Sequence, residues 1–202
     1  MYLPSYFSES NLAVINDLVV KNHFATLVVI LAGEIEVVHV PLYLDQQNNC
    51  LLGHIARANQ MAKELLRHRQ IKVKIIFNGE NGYISHNYYN EPEKNVPTWN
   101  YATVHIDGIL HLVEHHAEIQ NLLDVQFGSY ENETLDWDLA YLNKLINGII
   151  GIKIEIQQIT AKFKLSQNRS IEDREKIIEC LLASTDVKQV ALGKFMQGYY
   201  QS

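Results

Sequence analysis

The residues best suited to chemistry in this 202-residue chain are Lys162, Lys164, Ser166 and Asn168. They occupy alternate positions of the segment Lys162-Phe163-Lys164-Leu165-Ser166-Gln167-Asn168-Arg169. Successive side chains of an extended strand point to opposite sides, so these four share a face while Phe163 and Leu165 point to a core. Two ammonium groups, a hydroxyl and an amide in a row, with Gln167 and Arg169 alongside, suit a bound anion. A second constellation is Gly53-His54-Ile55-Ala56-Arg57-Ala58-Asn59, where a strand ends, an arginine appears and a helix begins. Helix-start N–H groups and a guanidinium fork both attract phosphate. The plainer alternative is a surface Arg57 beside an ordinary Asn59 cap. In Val96-Pro97-Thr98-Trp99-Asn100-Tyr101, aromatic rings sit next to hydrogen-bonding groups. Such a stretch makes either a wall for a ring ligand or an aromatic plug at a barrel end. Ser85, in Gly82-Tyr83-Ile84-Ser85-His86, is placed to reach a phosphate or a ring edge.

Other chemistries find little here. His111 and His115 have the spacing a helical zinc site uses, with His116 adjacent, but His111 falls on an expected strand, so no metal site is expected. There is no paired Cys-x-x-Cys, no His-Glu-x-x-His, no Gly-x-Gly-x-x-Gly and no Walker A loop. No nucleophile turn is recognisable, so catalytic residues stay unassigned.

The elements that must position these residues read as short strands with helices between them. Leu12, Ile15, Leu18 and Val19 have helical spacing. Phe24–Leu31 and residues 34–44 pair around Gly33, with Pro41 marking an edge or bulge. Cys50–Ala56 is a third strand, followed by a short Asn59-capped helix. Residues 71–77 form a strand, 79–82 a turn and 82–85 a further extended piece. Residues 88–96 read as irregular and 102–113 as an alternating strand. Helices are expected at 117–127 and 135–147. Ile152, Ile154 and Ile156 alternate, but Gln157-Gln158 shifts the phase before Ile159, Ala161 and Phe163, as a β-bulge would. Ser170-Ile171-Glu172-Asp173 reads as a capping box with Asp in the last place. It opens a C-terminal helix at about 170–200. Hairpins with inserted helices indicate a mainly β, α+β fold, a small antiparallel barrel in a single domain over 1–202.

Composition narrows the partners. The chain is 47% apolar, and 17 basic against 23 acidic residues leave a net charge of −6. That excludes a broadly basic surface for nucleic-acid backbones and leaves room for a local patch. Cys50 and Cys180 are far apart and match no metal or redox spacing, as expected of reduced thiols in a cytoplasmic protein. No secretory signal pattern opens the chain, and no apolar run approaches the ~18 residues of a membrane span.

Taken in order, several blocks resemble the PaiB family, the FMN-binding negative transcriptional regulators. They are Met1-Tyr2-Leu3-Pro4-Ser5-Tyr6-Phe7, Phe24-Ala25-Thr26-Leu27, His39-Val40-Pro41-Leu42, Gly53 to Asn59, Gly82 to Ser85, Val96 to Tyr101 and Lys164 to Arg169. The resemblance covers roughly residues 1 to 185. It implies an antiparallel split β-barrel of the FMN-binding type, with inserted helices and a C-terminal helix. It further implies a homodimer with flavin in a groove at the subunit interface. On that reading Arg57, helped by the Asn59 helix start, holds the FMN phosphate, with Lys162, Lys164 or Arg169 sharing the task. Ser85, Thr98, Asn100, Ser166 and Gln167 serve the ribityl chain and ring edge, and Trp99 or Tyr101 stacks on the ring.

The expected function is that of an FMN-binding regulatory protein. The alternative is a flavin-dependent oxidoreductase acting on a small molecule with NAD(P)H, and the sequence leaves open whether the protein is an enzyme. Direct DNA binding has no helix-turn-helix, zinc finger or basic stripe behind it. A minor third reading puts heme on the same barrel, with His39, His54, His105 and His111 as the residues to test.

Overall fold

The computed structural model describes residues 1–128, 130 and 139–201. Its elements are Ser8–Glu9 (β1), Leu12–Lys21 (α1), Phe24–Leu31 (β2), Glu34–Pro41 (β3), Tyr43–Asp45 (β4), Cys50–Ala56 (β5), Gln60–His68 (α2), Gln70–Ile84 (β6), Thr98–Val113 (β7), His116–Gly128 (α3), Leu139–Asn147 (α4), Ile149–Lys164 (β8), Ile171–Leu182 (α5) and Val187–Gln201 (α6). The eight strands form one sheet in the order β3-β2-β6-β7-β8-β5-β4, with β1 paired to β8. The pairs β1–β8, β2–β3, β2–β6, β4–β5 and β5–β8 are antiparallel. The described residues gather into two compact units: 1–15, 78–104 and 160–202 form the first, and 16–77 with 105–159 the second.

In the second unit β2 and β3 make a hairpin whose loop, Ala32-Gly33, has φ of 52° and 90°. Two residues at positive φ match the twist of paired strands, and Gly33 is the sequence signal for it. Register pairs Val28 with Val37 and Ile30 with Ile35. Alternation then buries Leu27, Val29, Val38 and Val40 on one face and leaves Phe24, Ile30, Ile35 and Val37 exposed on the other. β3, at one end of the strand order, packs against β5 near the other end, so this part of the sheet curls on itself. Close strand approach depends on Gly108, where an added Cβ would lie 2.5 Å from the Glu155 carbonyl oxygen. Asn59 caps α2 by accepting from the Met61 N–H at 2.8 Å, and Met61, Ala62 and Leu65 are buried beneath. Ile119, Leu123, Leu142 and Ile146 of α3 and α4 form a separate small core with Val113, Phe127 and Ile149. The helix expected at 135–147 is present as α4; residues 135–138 lie outside the described residues.

In the first unit, Ser8 pairs with Lys162 and Glu9 with Ala161. The C-terminal helical stretch is built from two helices. The Ser170 hydroxyl accepts from Asp173 N–H at 3.1 Å and caps α5, as the capping-box pattern indicates. Asp186 accepts from Lys188 N–H at 2.9 Å and starts α6. Ile177, Leu181, Leu192 and Met196 bury their inner faces, and Phe163 packs against Phe195 and Tyr199.

Two local expectations change. Residues 79–82 continue β6 instead of turning, because Gly79 and Gly82 keep negative φ and extended backbone. The alternating polar face of the last strand ends at Lys164, since Ser166 has φ of 71° and the left-handed conformation breaks the two-residue period. The phase shift at Gln157-Gln158 is present within β8. Ile150, Ile152 and Ile154 are buried before it, Ala161 and Phe163 after it, and both glutamines are exposed.

Candidate functional site

In the first unit, the end of β8 gathers most of the expected residues around its lysines. Lys164 Nζ donates to Thr98 Oγ1 at 2.5 Å and to the Trp99 carbonyl at 2.7 Å, and it lies 5.9 Å from the Phe7 ring centroid. Lys162 is 8% exposed. Its ammonium donates to the Tyr2 carbonyl at 3.2 Å and sits between the rings of Tyr2 and Tyr101, at 5.6 and 5.4 Å. Arg169 donates to Asn95 Oδ1 at 2.9 Å and stacks over Tyr89 at 4.9 Å. Among the described residues none of these three cations is paired with a carboxylate. Burial, then Lys162 and Arg169, hold the Lys164 ammonium below the ordinary lysine range. Carbonyls, a hydroxyl and ring faces solvate the charges in part.

Beneath this row Asn100 is fully buried and donates to Ser166 Oγ at 2.9 Å. Among the described residues the Asn100 side-chain Oδ1 has no partner, which is costly for a buried amide. That hydrogen bond helps hold Ser166 in its left-handed conformation. Gln167 serves the backbone, donating to the Phe163 carbonyl at 2.5 Å and accepting from Leu165 N–H at 2.7 Å. Trp99 is 51% exposed, its indole N–H held by Asn81 Oδ1 at 3.2 Å, with Tyr83 tilted against it. Ser85 caps the short turn His86–Tyr88 by accepting from Asn87 N–H at 3.2 Å.

Arg57 and Asn59 belong to the second unit. Arg57 is exposed, its Nε donating to the Asn147 carbonyl at 3.3 Å and its backbone N–H to Gly148 at 2.9 Å. Asn59 caps α2 as expected. His111 lies 3.6 Å from the Glu155 carboxylate. Among the described residues no three His, Cys, Asp or Glu side chains converge as a metal site. Nor is any described helix long and apolar enough to cross a membrane.

Sequence reasoning assigned Arg57, Asn59, Ser85, Thr98, Trp99, Asn100, Lys162, Lys164, Ser166, Gln167 and Arg169 to one flavin site; contacts in the first unit join Thr98 and Trp99 to Lys164 and Asn100 to Ser166, while Arg57 and Asn59 belong to the second unit. It missed Tyr2 and Phe7, which supply a carbonyl and two ring faces to the lysines. Both lie in the Met1–Phe7 block of the family resemblance, which carried no contact to the lysines.

A curled antiparallel sheet of this order, with helices inserted, is a split β-barrel. The chain belongs to the PaiB family of FMN-binding domains, its residues 1–158 matching the family described as "Putative FMN-binding domain". "Protease synthase and sporulation protein PAI 2" of Bacillus subtilis is 33% identical over 189 residues, 90% of this chain and 89% of that protein. The flavocytochrome Anf3 of Azotobacter vinelandii shares the fold with a TM-score of 0.64 at 15% identity, over 86% of this chain and 78% of its own. An FAD and heme binding protein of Mycobacterium smegmatis does so at 0.56 and 8%, over 83% and 78%. At these identities the structural likeness is one of fold. The family match ends before Lys162, Lys164 and Arg169.

Proposed function

We propose that this protein is a cytoplasmic, homodimeric FMN-binding regulatory protein of the PaiB type, and that Lys162, Lys164 and Arg169 read the flavin phosphate. The observation that carries the reading is the set of three neighbouring cations with no carboxylate paired to them among the described residues. A phosphate near −2 charge relieves their mutual repulsion and adds charge-assisted hydrogen bonds. Thr98 is proposed to supply a polar contact to a ribityl chain, with Asn100, Ser166 and Gln167 shaping the strand end behind it, Ser85 adds a hydroxyl, and exposed Trp99 offers a ring face. Arg57, beside the capped start of α2, is proposed as a further phosphate contact, with its guanidinium exposed and its position fixed by Asn147. When bound, FMN supplies the redox chemistry, and these residues bind and orient it.

A regulatory role is favoured by the relative's name, which concerns protease synthesis and sporulation and no reaction. The exposed apolar face of β2 and β3 supports self-association, since Phe24, Ile30 and Ile35 are each about 70% exposed. Two free cysteines suit a reducing compartment.

The deciding experiment is an FMN titration followed by flavin fluorescence, with riboflavin as control. Tight binding of FMN and weak binding of riboflavin is expected, and equal binding of the two removes the phosphate assignment. NADH or NADPH added to the loaded protein should leave the flavin absorbance unchanged over minutes; rapid bleaching replaces the regulatory role with a flavin-dependent oxidoreductase. Sedimentation should show a dimer, and Ile35→Glu should shift it to monomer. Regulation then acts through flavin state or a protein partner, and a mobility shift of promoter DNA at low salt would overturn that.

A further inference from the structure

The N-terminal segment lies directly on the lysine row. Pro4 accepts from Phe7 N–H at 3.0 Å and closes a short turn over Ser5–Phe7. Ser8 and Glu9 then anchor the segment beside β8, and Glu9 Oε2 accepts from the Tyr199 hydroxyl at 2.8 Å. From this anchor residues 2–7 reach back, so that the Tyr2 carbonyl and ring cover Lys162 while the Phe7 ring covers Lys164. The cover is tight at the lysine and loose on its outside: Lys162 is 8% exposed, whereas Tyr2 is 84% exposed. Tyr2 thus meets Lys162 through one carbonyl and a ring face, groups that solvate a cation less well than a phosphate does.

We propose that residues 2–7 form a displaceable strap over the Lys162–Lys164 row, closed by the Tyr2 and Phe7 contacts and lifted when a phosphate-bearing ligand takes their place. The ligand identity rests on the flavin reading above; the strap itself rests on the contacts. In the closed state Lys162 keeps its charge solvated without an anion. A dianion cannot reach Lys162 Nζ from the side held by Tyr2 until the carbonyl withdraws, so strap contact and anion contact exclude each other there. Because β1 and the Glu9–Tyr199 bond stay in place, the hinge lies at Phe7-Ser8, and opening needs no change in the sheet. The strap slows ligand entry and departs with it, which makes flavin loading a gated step.

The test compares the natural protein with Tyr2→Ala/Phe7→Ala in two measurements. The first is stopped-flow association of FMN, with riboflavin as control. The second is amine acetylation of Lys162 read by peptide mass spectrometry. Removing the two ring contacts should speed FMN association about tenfold and leave riboflavin unchanged. Acetylation of Lys162 should rise in the variant and fall again when FMN is added. Faster acetylation with unchanged FMN association overturns the strap as a gate. If neither protein binds FMN, the flavin reading fails separately, and pyrophosphate becomes the probe. Protection of Lys162 by pyrophosphate, stronger in the variant, then upholds the strap, and its absence sinks it. If the double variant is unstable, Tyr2→Ala alone, at a residue that is 84% exposed, is expected to give the same changes in smaller measure.

Discussion

The chain carries two cationic regions proposed to read a phosphate, and they are built in opposite ways. At the end of β8, Lys162 and Lys164 are buried or half-buried, share their surroundings with Arg169, and find carbonyls, a hydroxyl and aromatic rings as partners. At the corner before α2, Arg57 is exposed, and its guanidinium touches one backbone carbonyl. Water stabilises an exposed guanidinium at almost no cost, so Arg57 contributes little to folding and is free to serve a ligand. A desolvated ammonium beside two other cations raises the free energy of the ligand-free protein, and an anion recovers that energy on binding. Affinity and stability are therefore opposed at the strand end and separate at the corner.

The largest expected effect tests that opposition. Lys164→Met keeps an unbranched side chain one atom shorter and removes its charge. FMN affinity should fall by about 1.5–3 kcal/mol, the contribution of a charged hydrogen bond. The melting temperature should hold steady or rise, since an uncompensated cation has left a partly buried site. Arg57→Met should lower affinity with no gain in stability. Paired FMN titrations and thermal melts check both. If Lys164→Met loses stability and keeps its affinity, the lysine row is framework and the comparison collapses.

Asn100 comes next, and it concerns what holds the strand end in shape. Asn100→Ala deletes the donor to Ser166 Oγ inside a fully buried site and leaves that hydroxyl unpaired. The loss should be about 1–3 kcal/mol by urea denaturation. Part of it should be offset in Asn100→Ala/Ser166→Gly, because glycine adopts the left-handed backbone freely and brings no hydroxyl to satisfy. A single variant as stable as the natural protein would mean that the turn after β8 holds its own shape.

Much of this frame was legible in the sequence, for local reasons. The isoleucines at 152, 154 and 156 against the apolar residues at 159, 161 and 163 announced the face switch in β8. Ser170 and Asn59 announced their helices, because a cap is read within three residues. The antiparallel barrel followed from hairpins and short helices. What stayed hidden was either conformational or distant. Nothing in Leu165-Ser166-Gln167 signals a left-handed serine, whose φ is set by the surrounding packing. Gly79 and Gly82 looked like a turn, since glycine permits positive φ without requiring it. Tyr2 and Lys162 lie 160 positions apart, and no periodicity relates them. The candidate residues were thus found by type, while their partners came from the fold.

The smallest effect sharpens the comparison through pH. In the ligand-free protein, burial and then Lys162 and Arg169 lower the Lys164 pKa. A phosphate beside the ammonium raises it again, so the bound state holds its proton to higher pH than the free state. Binding therefore takes up a proton wherever the pH lies between the two values. Affinity is full below the free-state pKa of Lys164 and declines as pH rises through it, by at most about tenfold per pH unit for one linked proton. The decline should begin below the pH at which an ordinary lysine titrates. Calorimetric FMN titrations in two buffers of different ionisation enthalpy would report the proton directly. Lys164→Met should abolish the uptake and Arg57→Met should retain it. Uptake that survives in Lys164→Met would place the titrating cation elsewhere and return the phosphate assignment to Lys162.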